Sequence, residues 1–285
     1  MAFLVKFLIY GVKSFTKIYN ILYNVYVKQE PEPLPVIEYT DELNDDFGNQ
    51  ETCRRWNKPY TYYRRDPFYK LCRFFWCRLI GTSVAWTHAK VRFRWRVVNK
   101  KVFREARKSS YFIYGNHTQN FFDAAMCKII APKDAYVIVS ERNITMPGIG
   151  WLARRLGALP IIPDLTNTKR FVKAIDQIVE DKKPILIYPE AHIWPYYTGI
   201  RPFVANSFRY PVKYNVPAYC FTNTYHKRGK KVQIITYVDG PFYPNTELDH
   251  QAQIQDLRDR IHAKMVERSQ TSTYTKIIYR KKEQK

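Results

Sequence analysis

The stretch YFIYGNHTQNFFDAAM, residues 111–126, joins an apolar segment to a polar turn and then to a second apolar segment. Tyr111–Tyr114 is aromatic and aliphatic and predicts a buried strand, and the residues from about Asn120 predict a helix. A strand that enters a helix through a short polar turn is the repeating unit of an α/β sheet. His117 lies in that turn and Asp123 lies six residues later. The pair is either a catalytic base with its orienting acid or a polar strand end, and the stretch alone leaves both open.

Strands and helices alternate through the rest of the chain in the same way. Strands are predicted over residues 91–98, 135–139, 184–188, 218–224 and 232–238, and helices over 168–180, 204–214 and 248–269. The first of these strands, VRFRWRVV, alternates apolar residues with Arg and predicts one exposed cationic face. Together the segments predict an α/β fold with a mixed, largely parallel sheet flanked by helices.

The net charge of +22 is spread unevenly over the 285 residues. Residues 54–108 carry 17 basic and 2 acidic side chains, whereas residues 29–51 carry 8 acidic side chains and no basic ones. A basic segment of this kind attracts polyanions, which include anionic lipid head groups, nucleic acid and coenzyme A. With 46% hydrophobic residues the chain can also bury a full core, which excludes disorder for most of its length.

The cysteines indicate neither a metal site nor a disulfide framework. They are odd in number and form no C-x-x-C pair: Cys53, Cys72, Cys77, Cys127 and Cys220. The six histidines likewise lack ligand-like spacing. We therefore expect no metal, and a reducing setting fits this cysteine usage best.

Residues 1–28 predict an amphipathic helix that lies in a membrane interface. Their polar residues follow one helical stripe: Lys6, Lys13, Lys17, Asn20, Asn24 and Lys28. A helix that crossed the bilayer would place Lys13 and Lys17 near its apolar centre at a cost of several kcal/mol, and an in-plane helix avoids that cost. A wide apolar face also suits docking on protein, so core packing remains an alternative.

The following segments divide into a linker and a catalytic-size domain. Residues 29–51 are Pro-rich and acidic and predict an extended linker. Residues 52–285 then form the main domain, which includes a basic, aromatic helix at about 67–81. That helix can face a membrane with its cations toward phosphates, or it can be an ordinary amphipathic core helix.

Three polar blocks follow predicted strands, where ligand chemistry on a parallel sheet belongs. They are Gly115-Asn116-His117, MPGIGWLARRLGALPII over residues 146–162, and Pro189-Glu190-Ala191-His192. In this order the blocks resemble those of the glycerolipid acyltransferase family, which includes the lysophosphatidic acid and glycerol-phosphate acyltransferases. The resemblance covers roughly residues 85–245, and the helices before it resemble the membrane-anchoring pair of that family.

The resemblance implies His117 as the catalytic general base and Asp123 as its partner. The same resemblance implies Asn116, Gly148, Arg155, Tyr188, Pro189 and Glu190 as substrate-binding residues. His192 and Arg201, which the family pattern does not contain, are further substrate-binding candidates. Glu190 would hold acceptor hydroxyls or organise the pocket, and His192 would either contact substrate or hydrogen-bond a strand end.

The chain departs from the family pattern at three places. Five residues separate His117 from Asp123, where the family usually has four. Ala191-His192-Ile193 stands where the family has Gly-Thr-Arg, and the arginine that often ends the second block is replaced near Pro163. Two expected phosphate ligands are therefore missing. We expect weak activity on lysophosphatidic acid unless Arg155, Arg170 or Arg201 occupies the vacated space.

Acyl transfer to an alcohol requires a base near the hydroxyl and donors near the thioester oxygen. A neutral imidazole is suited to the first role near neutral pH. Asp123 would fix the tautomer of His117, and backbone N–H groups at the helix start after His117 would stabilise the oxyanion. No G-x-S-x-G stretch that would indicate a serine nucleophile occurs in the chain.

The sequence therefore predicts a membrane-associated O-acyltransferase, similar to the 1-acylglycerol-3-phosphate enzymes, that acts on a lipid acceptor such as a lysophospholipid. Acyl-CoA or acyl carrier protein would be a co-substrate, with no further cofactor. An anionic membrane is the expected partner, nucleic acid is not expected, and the protein would be peripheral or monotopic on the cytoplasmic face of a membrane. A hydrolase would result if water replaced the alcohol. The competing class is a non-enzymatic binder of anionic membrane or nucleic acid through residues 54–108, for which His117 would not matter.

Overall fold

The computed structural model of the chain describes residues 34–48, 54–148, 150–229 and 231–283. Its strands are β1 (Val36–Tyr39), β2 (Arg96–Val98), β3 (Phe112–Gly115), β4 (Tyr136–Ser140), β5 (Ala158–Ile161), β6 (Ile185–Ile187), β7 (Ala218–Arg228), β8 (Lys231–Phe242) and β9 (Ile278–Lys281). Its α-helices are α1 (Pro67–Phe74), α2 (Thr82–Phe93), α3 (Asn120–Ile130), α4 (Arg142–Thr145), α5 (Gly150–Arg155), α6 (Leu165–Glu180), α7 (Arg209–Tyr214) and α8 (His250–Ser269). A π-helix (Phe75–Gly81) joins α1 to α2, and 3₁₀ segments cover Lys100–Lys108 and Ala205–Phe208.

Seven strands form one sheet in the order β2-β8-β7-β3-β6-β4-β5. Strands β7, β3, β6, β4 and β5 are mutually parallel, and β8 runs antiparallel to β7. The predicted mixed, largely parallel sheet is confirmed. Because β3 and β6 lie side by side in parallel, the residues that follow them meet at the carboxyl end of these strands.

A hydrophobic core covers each face of the sheet. The central strands are therefore apolar throughout and do not alternate apolar with polar residues. Phe112 and Tyr114 of β3 pack in one core cluster, and Ile113 between them packs in the cluster on the other face. All three are fully buried. A strand that is buried on both faces has a continuous run of apolar residues in its sequence, as β3 does.

The predicted strand over residues 91–98 is wrong for its first half. Helix α2 continues to Phe93, and Arg94 ends it with a left-handed backbone (φ 44°). The buried residues Ala85, Ala89 and Phe93 recur every four positions, which is the period of a helix face. Only Arg96–Val98 pairs as a strand, with β8.

The described part of the predicted linker also differs from the prediction. The Trp194 indole Nε1 donates to the Asp45 carbonyl oxygen over 2.8 Å, and the Phe47 N–H donates to the Ile193 oxygen over 3.1 Å. Residues 37–48 therefore pack against the loop after β6. An aromatic cluster forms there from Tyr39, Phe47, Trp194, Tyr197 and Tyr279.

The predicted basic helix at about 67–81 is present as α1 and the π-helix. Asp66 caps α1 by accepting the Tyr69 N–H over 2.8 Å. The inner face buries Arg73, which pairs with Asp134. The outer face leaves large apolar side chains exposed, among them Phe68 (76%), Leu71 (67%), Phe74 (56%) and Leu79 (52%).

In the part of the chain that the structure describes, no helix has the length and apolar character needed to cross a membrane. The interfacial helix predicted over residues 1–28 lies outside the described residues.

Candidate active site

A cavity of about 740 Å³ lies at the carboxyl ends of β3, β6 and β4. His117 follows β3, Tyr188 and Pro189 follow β6, and Arg142 follows β4, and all four line the cavity. Its apolar walls include Val137, Val139, Ile161, Phe171, Ile187 and Val204. The cavity therefore combines a polar end at the strand termini with an extended apolar lining, as ligand sites usually do.

His117 and Asp123 form a hydrogen-bonded pair at this polar end. The imidazole Nδ1 lies 2.9 Å from Asp123 Oδ2. Asp123 is fully buried in the first turn of α3, while the His117 side chain is 23% exposed. The five residues between them thus allow the histidine to sit in the turn before α3 and still reach the carboxylate. The structure brings the two predicted catalytic residues together.

Asp123 is held as a carboxylate acceptor by the backbone around it. Its Oδ2 also accepts the N–H groups of Thr118 and Gln119, each over 2.8 Å. Burial raises the pKa of Asp123, and the hydrogen bonds from His117, Gln119 and Thr118 oppose that rise. Because an ionised carboxylate only accepts hydrogen bonds, His117 donates through Nδ1, and Nε2 carries the free lone pair.

Two backbone N–H groups near the predicted oxyanion donors have another role. The first two after His117, those of Thr118 and Gln119, donate to Asp123. The oxyanion donors predicted at the helix start would therefore be N–H groups later in the chain than Gln119, where α3 begins at Asn120.

Tyr188 and Glu190 hold His117 from the other side. The Tyr188 ring stacks on the imidazole with centroids 4.5 Å apart, and its hydroxyl donates to the Asp123 carbonyl oxygen over 2.6 Å. The His117 N–H donates to Glu190 Oε2 over 3.0 Å. These contacts fix both the ring plane and the backbone of the histidine.

Glu190 and Arg201 organise the loop after β6. The other Glu190 oxygen accepts the Arg201 N–H over 3.0 Å, and Glu190 is 3% exposed. The Arg201 guanidinium donates to the carbonyl oxygens of Glu42, Glu190 and His192, and Arg201 is 1% exposed. Of the two roles predicted for Glu190, the geometry supports pocket organisation. Arg201, predicted to bind substrate, is buried in this loop and does not line the cavity.

Asn116 is likewise buried and ties two strands together. Its Nδ2 donates to the Asn223 carbonyl oxygen over 3.0 Å, and its Oδ1 accepts the Asn223 N–H over 2.8 Å. Asn223 Nδ2 in turn lies 3.4 Å from Asp123 Oδ1, and Asn223 Oδ1 accepts the Thr236 hydroxyl. The predicted substrate contact of Asn116 is thus replaced by a positioning contact. The sequence analysis did not predict a role for Asn223. The available signal was an asparagine within the largely apolar stretch AYCFTNT, where a polar side chain needs a hydrogen-bonding partner.

The second block does not supply cavity residues at the predicted positions. Gly148 is exposed with φ 74°, and Arg155 is exposed with its guanidinium 5.0 Å from the Trp151 ring centroid. Neither residue lines the cavity, and neither does Arg170. None of the three arginines expected to replace the missing phosphate ligands therefore faces the cavity.

The third block does reach the cavity, through Pro189, Ala191, His192 and Ile193. His192 Nδ1 lies 3.8 Å from Asp46 Oδ2, and Asp46 also lines the cavity. His192 is thus placed to contact substrate, as one of its two predicted roles requires. Ala191 has a left-handed backbone (φ 61°), the conformation that favours the glycine of the family pattern.

Two arginines that the sequence reasoning missed line the cavity. Arg142 begins α4, directly after the carboxyl end of β4, and its Nε and Nη2 are buried with no hydrogen-bond partner among the described residues. Arg209 begins α7 and is exposed. A buried guanidinium without an acceptor is costly, so Arg142 is a candidate ligand for an anion. Its position at the end of a predicted strand was the available signal.

Comparisons with known proteins match part of the chain to a family model. Residues 94–223 match the Acyltransferase family. The chain is similar to the crystal structure of the 1-acyl-sn-glycerophosphate (LPA) acyltransferase PlsC from Thermotoga maritima, with 14% sequence identity, a TM-score of 0.48, and coverage of 73% of this chain and 81% of that chain. No curated protein sequence matches the chain significantly. Residues 94–223 are therefore similar to the acyltransferase family that the sequence blocks indicate.

Proposed function

We propose that this protein transfers a fatty acyl group from an acyl thioester to a hydroxyl of a lipid acceptor. The observation that carries the proposal is the His117–Asp123 pair at the polar end of a largely apolar cavity. The donor would be acyl-CoA or acyl carrier protein, bound as a co-substrate.

The reaction would begin with proton transfer to His117. Nε2 accepts the hydroxyl proton as the acceptor oxygen attacks the thioester carbonyl, and Asp123 stabilises the imidazolium that forms. The tetrahedral intermediate then expels the thiolate, which takes the proton from Nε2. The ester and the free thiol leave, and the histidine returns to its starting state.

Arg142 supports an acceptor that carries a negative charge. Its unpartnered guanidinium nitrogens lie in the wall of the cavity that also contains His117, and Arg209 adds a second positive charge to the lining. A phosphate or phosphodiester of a lysophospholipid would satisfy those donors. Arg142 would thus replace the phosphate ligands that the second and third blocks lack, and we propose 1-acylglycerol-3-phosphate as one such acceptor.

The exposed apolar side chains of α1 support a peripheral position on a membrane. We propose that the protein lies on the cytoplasmic face of that membrane. Phe68, Leu71 and Phe74 are each more than half exposed, and the exposed Lys70 lies among them in the chain. Apolar side chains with flanking cations are typical of an interfacial helix.

The proposal is tested by turnover of purified protein with labelled acyl-CoA and acyl carrier protein. Lysophosphatidic acid, a lysophosphodiester and an uncharged monoacylglycerol would serve as acceptors. We expect His117→Ala to abolish turnover with every acceptor, whereas Arg142→Gln should raise KM about tenfold or more for the charged acceptors only. Arg155→Gln is the matched control, because Arg155 does not line the cavity.

Two results would contradict the proposal. Equal turnover by His117→Ala and the parent would reject the assigned base. No turnover with any donor and acceptor, together with membrane or nucleic-acid binding, would favour the non-enzymatic binder instead.

A further inference from the structure

The rim of the cavity is apolar at one place. Ile161, at the end of the edge strand β5, and Val204, before α7, both line the cavity. They are nevertheless 60% and 59% exposed. Their side chains therefore belong to the cavity wall and to the outer surface at once, which marks an opening.

Helix α6 follows Ile161 in the chain and also exposes apolar side chains. It begins four residues after Ile161, beyond a turn in which the Asp164 N–H donates to the Ile162 oxygen over 2.9 Å. Leu165 and Val172 lie seven residues apart on its outer face and are 70% and 41% exposed. Between them Phe171 turns inward and lines the cavity.

The surface around these side chains is cationic. The helical stretch LTNTKRFVK, residues 165–173, contains Lys169, Arg170 and Lys173, all exposed, and no acidic residue. Arg209, also exposed, lies five residues after Val204 in the chain and lines the cavity as Val204 does.

We infer that Ile161, Leu165, Val172 and Val204, here called the apolar rim, dock on an anionic bilayer and open the cavity to its acyl region. The exposed side chains and the flanking charges support the docking. The passage of lipid through the opening rests, in addition, on the proposed function. The apolar side chains enter the acyl boundary of the leaflet, and each flanking cation adds about 1 kcal/mol at an anionic surface. The apolar wall then runs from the leaflet toward His117 without exposing an acyl chain to water.

A bilayer fits this surface better than an acidic carrier protein does. A carrier would pair with the four cations, but it would leave unexplained why exposed aliphatic side chains continue into an apolar cavity wall. This contact uses other residues than those predicted at 1–28 and 67–81, and Ile161 and Val204 connect it to the cavity.

Photo-crosslinking of the full-length chain tests the docking without reference to activity. Vesicles of phosphatidylcholine and phosphatidylglycerol would carry a phospholipid with a diazirine in its acyl chain. We expect adducts on the peptide that contains Leu165, and their loss in Leu165→Glu. Tyr243→Glu is the control, since Tyr243 is also exposed (54%) but does not belong to the apolar rim. The absence of adducts at Leu165 in the parent would overturn the inference.

Turnover with two forms of the acceptor separates docking from chemistry. With a soluble short-chain acceptor and thioester, Leu165→Glu should match the parent, whereas with a bilayer-embedded acceptor its turnover should fall about tenfold. Equal loss with both acceptors would overturn the inference, and so would a loss confined to reactions that use acyl carrier protein. If the parent fails on the soluble acceptor, the proposed function fails, while the crosslinking still decides the docking.

Discussion

The carboxylate of Asp123 accepts hydrogen bonds both from the His117 side chain and from the backbone of the turn that contains His117. One oxygen accepts from the imidazole and from two backbone N–H groups, so the aspartate determines the tautomer and the loop conformation together. We expect Asp123→Asn to lower kcat by about 10³ to 10⁴ while KM changes little, because an amide in this place favours the wrong tautomer.

Steady-state kinetics with a soluble acceptor would measure that effect, and circular dichroism would confirm that the variant is folded. Asn223→Ala offers a milder comparison, since the Asn223 amide lies 3.4 Å from the same carboxylate. A kcat of Asp123→Asn within tenfold of the parent would contradict the role assigned to the charge.

Ala191 carries a backbone strain that a glycine would remove. An L-residue in the left-handed region costs about 1–2 kcal/mol, and the added freedom of glycine in the unfolded chain offsets part of that. We expect Ala191→Gly to raise the free energy of unfolding by about 0.5–1 kcal/mol. Ala263→Gly, in the middle of α8, should lower it by about 1 kcal/mol. Urea unfolding of both variants checks the opposite signs; destabilisation by both would show that φ is not the deciding factor.

The placement of single residues was the most predictable part of the site. His117, Tyr188 and Pro189 follow buried strands, as expected, and Asp123 in the first turn of α3 reaches His117. Arg201 was mispredicted, because its distance from Glu190 in the chain does not reveal that its guanidinium folds back onto three carbonyl oxygens. Burial of a long charged side chain depends on packing that sequence spacing does not encode.

At the scale of elements, the sequence predicted most strands and the longest helices but missed β5 and α2. Helix α8, the longest helix described, and strands β7 and β8, the longest strands described, were all expected. Strand β5 was not predicted, since it has only four residues and contains Pro160, which an edge strand tolerates. Residues 91–93 belong to helix α2 although the alternation of residues 91–98 predicted a strand. The four-residue spacing of apolar residues in α2 buries Phe93 in the core, which favours the helix.

A buried charge cluster joins α1 to the sheet and makes stability depend on pH. Asp134 pairs with Arg73 and with Lys128, whose Nζ lies 2.8 Å away. Burial raises the pKa of Asp134, but the charges of Lys128 and Arg73 lower it by more, so that it lies below the ordinary value. A lowered aspartate pKa stabilises the fold above the unfolded pKa of about 3.9, and that contribution is lost as pH falls through the folded pKa.

We therefore expect Asp134→Asn to lower the free energy of unfolding by about 3 kcal/mol at pH 7, where it leaves two buried cations unpaired. The difference between parent and variant should shrink as pH falls below about 4. Urea unfolding across this pH range measures it. The control is Asp256→Asn, which removes a partly exposed i,i+4 pair with Arg260 and should change stability by no more than about 1 kcal/mol. A difference that stays constant with pH would contradict the assignment.

For the whole molecule, membrane binding should come mainly from burial of apolar side chains and only partly from charge. Each cation near an anionic surface adds about 1 kcal/mol and is weakened by salt, whereas hydrophobic burial is not. High salt alone should therefore release the full-length protein incompletely. Deletion of residues 1–28, the predicted interfacial helix, should make the remaining binding strongly dependent on salt and on anionic lipid.

Liposome flotation across a salt series checks this expectation. Protease access to a tag at Met1 in sealed vesicles adds the orientation. If the tag and the catalytic domain were found on opposite sides of the bilayer, the interfacial interpretation of residues 1–28 would be wrong.

The aromatic cluster behind the loop after β6 also links the candidate site to distant parts of the chain. Trp194 stacks on Tyr279 at 4.8 Å and lies 4.7 Å from Tyr39, and the Tyr279 hydroxyl donates to the Pro195 oxygen over 2.9 Å. The loop that presents His192 to the cavity is thus supported by residues from both flanks of the family-matched region. Tyr279 is synthesised long after His117 and Asp123, so during translation the support of this loop is completed last. We therefore expect a fragment limited to residues 94–223 to lack the aromatic support of the His192 loop, even where it contains His117 and Asp123.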